Sequence, residues 1–443
     1  MCRKLVISCL IAVLAVPAGA RTRPHYGGTL RAETAGDPLD RSGGMARRLI
    51  FDGLTDTGID GALHPALAIS WISESAAHRW RFRLRPGVEF HDGSPLTSIA
   101  VVASLMASCG NNCPWGNVRA LGGSVLFTSE SAMPNLPGIL AGNEFLIADM
   151  QAPAPDGGTG PFQVAGQANG VVTLTACESC WQGRPFLDSI QIRTRRSIDD
   201  QWLDFSADRT DVVEVPADSI REAQQQHLAL AVSTPVQILA LQLGTSAALE
   251  NENLRAAIAD AVDRSVLANV VFQHQGIASG ALLPQAISGF AFLFPAARDL
   301  NRARELRGGL TPPRLWLAAG AGATLQLAAQ RIALDLREAG FTVQLAPSGS
   351  QSADMALRVF RLTGTNAADD LAEVVRASGQ ASPAFGPDAQ SVYQAERAVL
   401  ARKNLIPLVH LPIAYACGAR VRDFHLRYDG SPDLASASLE ASP

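Results

Sequence analysis

Between residues 80 and 85 apolar and charged residues alternate one for one. Trp80, Phe82 and Leu84 fall on one side, and Arg81, Arg83 and Arg85 on the other. A period of two marks a strand with one buried and one wet face. Residues 65–75 read as its partner strand. Pro86 and Gly87 make a turn, and residues 88–90 return as a short strand. His91-Asp92-Gly93 is a second tight turn, in which Gly93 can take a positive φ. Thr97 then reads as the N-cap of a helix beginning at Ser98.

Elsewhere the pattern predicts a strand over residues 27–34, a loop to residue 44, and a helix over residues 44–55. Residues 171–176 read as a strand running straight into a cysteine pair. A helix is expected over residues 251–271, with Leu254, Ile258, Ala261 and Val262 near one face. Arg255, Asp260, Asp263 and Arg264 lie on or beside the other, and read as a solvated face with local ion pairs rather than catalytic groups. Residues 236–244 and 406–415 are apolar and strand-like.

The chain has 443 residues, long enough for two lobes with cores of their own. Hydrophobic residues make up 47% and charged residues 18%, a balance that excludes a disordered chain. The net charge of −4 comes without a basic stripe, so no nucleic-acid partner is expected. Arg3 and Lys4 precede an apolar run over residues 5–16, and Ala18-Gly19-Ala20 supplies small residues for cleavage. This predicts a signal peptide cut after Ala20 and a soluble, exported chain. The run is shorter than the roughly 20 residues of a membrane span.

Export would leave Cys109, Cys113, Cys177, Cys180 and Cys417. An oxidising compartment favours local disulfides within the two close pairs, with Cys417 left over and no metal bound. A four-cysteine zinc site and free thiols are the alternatives. A thioredoxin-like use of the second pair needs a helix N-terminus, which the preceding strand does not provide. No phosphate-cradling glycine loop or nucleophile elbow occurs. His91 beside Asp92 has no nucleophile with which to form a catalytic set. No enzymatic activity and no cofactor are expected.

The pattern W-x-F-x-L-R-x-G-V-x-F-H-D-G-x-P-L-T over residues 80–97 closely resembles the signature of the peptide/nickel solute-binding family, the extracytoplasmic receptors of ABC importers. Ser98 replaces the usual Ala, and Ala100 stands where the family carries an Asp that helps cap the helix. The resemblance extends to residues 26–34, 61–71, 158–164 and 171–193, where Trp181, Gly183, Pro185, Leu187, Asp188 and Ile190 keep the pattern W-x-G-x-P-x-L-D-x-I. Residues 251–284 and 327–345 also resemble family segments. The region between Ser108 and residue 158 is short beside the family's, and residues 353–375 lack its W-x-x-D-x-x-D-P segment.

The resemblance implies an α/β, two-lobe periplasmic-binding-protein fold of class II. Lobe I would span residues 21–238 plus 411–443, with a trimmed extra subdomain over 51–157. Lobe II would span 239–410, and residues 236–244 and 406–415 would make the two crossings. A monomeric periplasmic receptor would then close on a peptide or a metal chelate and pass it to an inner-membrane ABC permease. Two other readings are a receptor fold kept as a sensory or scaffold partner, and a cysteine-based redox protein. For ligand contact the loop after the first strand is expected to supply Glu33, Thr34 and Asp37. Glu33 or Asp37 would meet an amine or cation, or else serve as a loop acid or turn cap. Trp115 could stack on a ligand or fill a core, and His410 lies in a presumed crossing strand.

Overall fold

The computed structural model describes residues 25–440, apart from residues 42, 110–112, 153–156, 309–313, 321, 348–352, 364–365, 382–385 and 387. The predicted signal segment lies outside the described residues. Three sheets organise the chain. The first has seven strands in the order Ala229–Val232, Ala414–Cys417, Val212–Val215, Thr29–Glu33, Ser189–Arg193, Val171–Ala176 and Phe162–Ala168. Thr29–Glu33 runs parallel to both of its neighbours. The second has six, in the order Ile277–Ala278, Leu405–Leu411, Gln237–Leu243, Met355–Arg361, Arg314–Ala318 and Thr342–Leu345.

The second sheet explains the long apolar runs. Leu239, Leu241 and Leu243 pack under the helices Glu252–Ala261 and Ala323–Glu338. Ile238 and Ala240 pack on the other face, under Ala367–Ala377 and Ala389–Ala401. A strand covered on both faces reads as continuous hydrophobicity rather than alternation. In the first sheet Leu30, Ala32, Ile190 and Ile192 enter one core. Their alternates Arg31, Glu33, Gln191 and Arg193 lie on the opposite face.

A small four-stranded sheet, Ala68–Glu74, Arg79–Leu84, Ser124–Thr128 and Asn117–Leu121, carries the alternating stretch. Trp80, Phe82 and Leu84 are buried, and Arg81 pairs with Glu74 on the wet face at 3.2 Å. Arg85 departs from that face. Its guanidinium lies 4.5 Å over the Trp181 ring and its Nε donates to the Ala66 carbonyl. Residues 88–90 do not return as a strand. They make one isolated bridge, Glu89 to Pro95, and the strand beside Arg79–Leu84 is Ser124–Thr128 instead. Thr97 Oγ1 accepts from the Ala100 N–H, as an N-cap should.

The motifs spread along the sequence meet at one hub. Asp52 is buried and accepts from Thr159 Oγ1 at 2.8 Å, Trp181 Nε1 at 2.9 Å and Gln182 Nε2 at 3.0 Å. Burial pushes its carboxyl up, and the Trp181 and Thr159 donors pull it back. The His91 backbone N–H donates to the Gly158 carbonyl, and His91 Nε2 lies 2.8 Å from the Gly160 carbonyl oxygen. Gly158 and Gly160 run against the backbone of Leu49 and Ile50. A Cβ on Gly158 would stand 1.7 Å from the Ile50 carbonyl oxygen, so only glycine fits there.

Two predicted helices are shorter than the pattern suggests. Residues 44–55 form one helical turn, Arg47–Ile50, because Phe51 turns extended to enter the first core. The helix expected over 251–271 breaks where Val262 takes extended angles (φ −75°, ψ 126°), and Asp263 caps the next turn through Val266 N–H. The break frees the Ala259 carbonyl, and Arg264 turns inward. It donates to the carbonyls of Pro407 at 2.8 Å and Ala259 at 3.1 Å, and is 5% exposed. Burial lowers its guanidinium to about 10. Arg264 is therefore no part of a solvated face. Asp260 does pair with Arg302, at 3.3 Å.

Candidate ligand cleft

The chain passes between the two large sheets twice, from Val232 to Gln237 and from Leu411 to Ala414. The crossings are bonded to each other. Ser233 N–H donates to the Ile413 carbonyl, Ile413 N–H donates to Ser233 Oγ, and Val236 N–H donates to the Leu411 carbonyl. Gly430, at φ +74°, packs against both, where a Cβ would stand 2.9 Å from Val236. Two adjacent short crossings allow the parts they join to rotate while holding their register.

Segments beside these crossings meet across the divide. Thr324, at the start of Ala323–Glu338, donates to Asp218, just after the first-sheet strand Val212–Val215. Asn135 Nδ2, beside the small sheet, donates to Asp369 Oδ2 at 3.2 Å. Burial raises the Asp369 carboxyl and the Asn135 donor offsets part of that. Arg361, the last residue of its second-sheet strand, donates to the Asp429 carbonyl at 3.3 Å. Its guanidinium lies 3.5 Å from where a side chain on Gly43 would begin. The loop after Thr29–Glu33 therefore lies between the two sheets.

Within that loop the predicted residues divide. Thr34 is buried and its hydroxyl donates to Glu214 Oε1 at 2.9 Å. Asp37 caps its own turn, accepting from Leu39 N–H at 2.9 Å. Glu33 is 0% exposed. Arg193 and Arg196 hold its two oxygens at 3.2 and 3.4 Å, and both arginines also bind Asp204. Burial raises the Glu33 carboxyl, and Asp204 raises it further against the pull of Arg196. This carboxyl is spent inside the first lobe and presents no face to a ligand amine.

Trp115 and His410 are not at the cleft surface. Trp115 is 5% exposed, packed edge-on against Phe127 and beside Phe145 in the core of the small sheet. His410 is 2% exposed, with Nε2 2.9 Å from the Ala281 carbonyl oxygen. Burial lowers it to about 4, so it stays neutral. Glu396 holds the same segment, accepting from the Leu282 and Leu283 N–H groups at 2.5 and 3.0 Å. Nothing in the local sequence pattern marks Arg361, Asp429, Asp218 or Asn135. The one available signal was the second-lobe segment where the family's aspartate motif is replaced, which contains Asp369.

Cys109 pairs with Cys113 and Cys177 with Cys180, at Cα–Cα distances of 5.0 and 5.6 Å. Among the described residues no four-cysteine cluster forms. Cys417 is buried, and burial pushes its thiol up to about 12, which leaves almost no reactive thiolate. No helix among the described residues is long and apolar enough to cross a membrane.

Comparison with known proteins places this geometry. The model of the bacterial extracellular solute-binding proteins, family 5, matches residues 62–373. The chain belongs to this family. It is 24% identical over 303 residues to the nickel-binding periplasmic protein of Escherichia coli, 61% of this chain and 57% of that one. It is 42% identical over 84 residues to the HTH-type transcriptional regulator SgrR of Escherichia coli, 19% of this chain and 15% of the regulator. The first curated relatives are matched over only 28 to 57% of their length. Staphylococcus aureus NikA, solved with Ni(L-His)2, superposes with a TM-score of 0.81 at 16% identity, over 93% of this chain and 100% of NikA. The oligopeptide-binding protein AppA of Bacillus subtilis, solved with a nonapeptide, gives 0.76 at 15%, over 95% of this chain and 100% of AppA. The two-lobe periplasmic-binding-protein fold follows from these likenesses.

Proposed function

We propose that this family 5 protein is an exported receptor that captures a peptide or a small metal chelate between its lobes and delivers it to an ABC permease in the inner membrane. The observation that carries the reading is the pair of bonded crossings flanked by side-chain contacts that span the divide. Asp218 meets Thr324 on one flank and Asn135 meets Asp369 on the other. Contacts of this kind exist only when the lobes are together, so a ligand bound between them shifts the open–closed balance. Lobe I would hold residues 21–238 and 411–443, with 51–157 as an added subdomain, and lobe II residues 239–410. Asp37 remains the ligand-side candidate of the first lobe, and Arg361 joins it from the second.

A thermal-shift panel of peptides and nickel–amino-acid chelates tests the reading. A true ligand at about 100 times its Kd adds about 2.7 kcal/mol of stability, a rise of several degrees that keeps growing with the logarithm of ligand concentration. A panel that shifts nothing contradicts both ligand classes.

The local similarity to SgrR favours a second reading, a receptor fold used to sense its ligand. Recovery of a permease with the exported protein supports import. Recovery of a signalling protein and no permease supports sensing.

A further inference from the structure

We propose that His91, Cys177 and Cys180 form a redox-gated site for one thiophilic ion, Zn2+ or Cu+, separate from the cleft ligand. A ring nitrogen of His91 and the two sulfurs all lie within 4.8 Å of one another. Tetrahedral zinc bound at about 2.0 to 2.3 Å needs its ligands at separations of that order. The three residues come from the His-Asp-Gly corner and from the end of the strand Val171–Ala176, so the fold and not local sequence assembles them.

The histidine is prepared for this role. Its Nε2 lies 2.8 Å from the Gly160 carbonyl, to which only an N–H can donate. That fixes the tautomer and leaves Nδ1 with a bare lone pair, buried and without a partner. Metal-binding histidines characteristically donate their second ring nitrogen to a backbone carbonyl in this way. The same carbonyl oxygen lies 3.0 Å from Cys180 Sγ, so one loop positions two of the three ligands. A buried polar atom left unsatisfied is costly, and the proposal assigns Nδ1, the nitrogen that Gly160 leaves free, as the ligand. Two thiolates and an imidazole are a donor set for Zn2+ or Cu+ and a poor one for Mg2+ or Ca2+.

The disulfide is the gate. A dithiol reductant breaks the Cys177–Cys180 bond, leaving two thiols and departing as its own disulfide. Binding the ion then releases one proton from each thiol, while the neutral imidazole contributes its lone pair. With three protein ligands, a zinc ion keeps one position for water.

The test uses the exported chain carrying Cys109→Ser and Cys113→Ser, which removes the other pair, reduced with a phosphine and titrated anaerobically with Co2+ and Zn2+. The expected result is one equivalent of Co2+ with a thiolate charge-transfer band, displaced by Zn2+ and abolished by oxidation. Cys177→Ser/Cys180→Ser should lose the band. His91→Gln should weaken binding by at least about tenfold with the fold unchanged by circular dichroism. No band in the reduced parent overturns the proposal, as does equal affinity in His91→Gln. Loss of the fold on reduction overturns it too, because the site then does not exist.

Discussion

Asp52 shows what one residue can hold. Three donors from two distant motifs converge on a single buried carboxyl. Asp52→Ala leaves the Trp181 and Thr159 donors unsatisfied and should cost about 3 kcal/mol. Asp52→Asn keeps an acceptor and should cost less, and urea titration of both variants checks the order. Glu396 makes a pH-dependent prediction. Burial raises it from 4.5 to about 7 although two backbone N–H groups favour its charged form. A raised carboxyl binds its proton more tightly in the folded state, so its contribution is full below pH 4.5, declines between 4.5 and 7, and is constant above. The decline is at most about 3 kcal/mol. Glu396→Gln should remove that slope, seen as a flatter melting temperature across this window than the parent shows. The residue scale was also where the sequence misled most. Arg264 reads as a wet charge because the Ala259 carbonyl it binds is freed only once Val262 breaks the helix, and its Pro407 partner lies far along the chain. Trp115 reads equally as a stacking partner or a core residue, and its burial, like that of His410, does not show in a residue's identity.

At the scale of elements, the strands were legible and the helix ends were not. The alternation of residues 80–85 predicts a strand, found over Arg79–Leu84, and the apolar runs at 236–244 and 406–415 predict strands, found as Gln237–Leu243 and as the pair Leu405–Leu411 and Ala414–Cys417. The shortness of the turn Arg47–Ile50 was hidden, because Phe51 turns extended to enter the first core, and the loop of Gly158 then packs on Ile50. That loop yields a prediction. Gly158→Ala drives a methyl group into the Ile50 carbonyl, and the backbone must move to admit it. A loss of about 2 to 3 kcal/mol is expected, measured as a lower urea midpoint, while Gly93→Ala, with open space around it, should cost only its positive φ, about 1 kcal/mol.

For the whole molecule, the two-lobe plan was readable from motif order, and the contacts between lobes were not. Asn135 and Asp369 are 234 residues apart, and nothing periodic near either announces the other. In the proposed receptor these contacts would hold the closed form. The double variant Asn135→Ala/Thr324→Ala should populate a more open ligand-free form, seen as a larger radius of gyration in X-ray scattering, with ligand restoring the parent value. The central claim is that the space between the lobes holds a small solute. Native mass spectrometry of the gently purified, exported protein tests it most directly. The account predicts a species heavier than the chain by one small molecule, released on denaturation, or formed when the peptide and chelate panel is added. The bare chain mass alone, both as purified and with every member of the panel in excess, would contradict it.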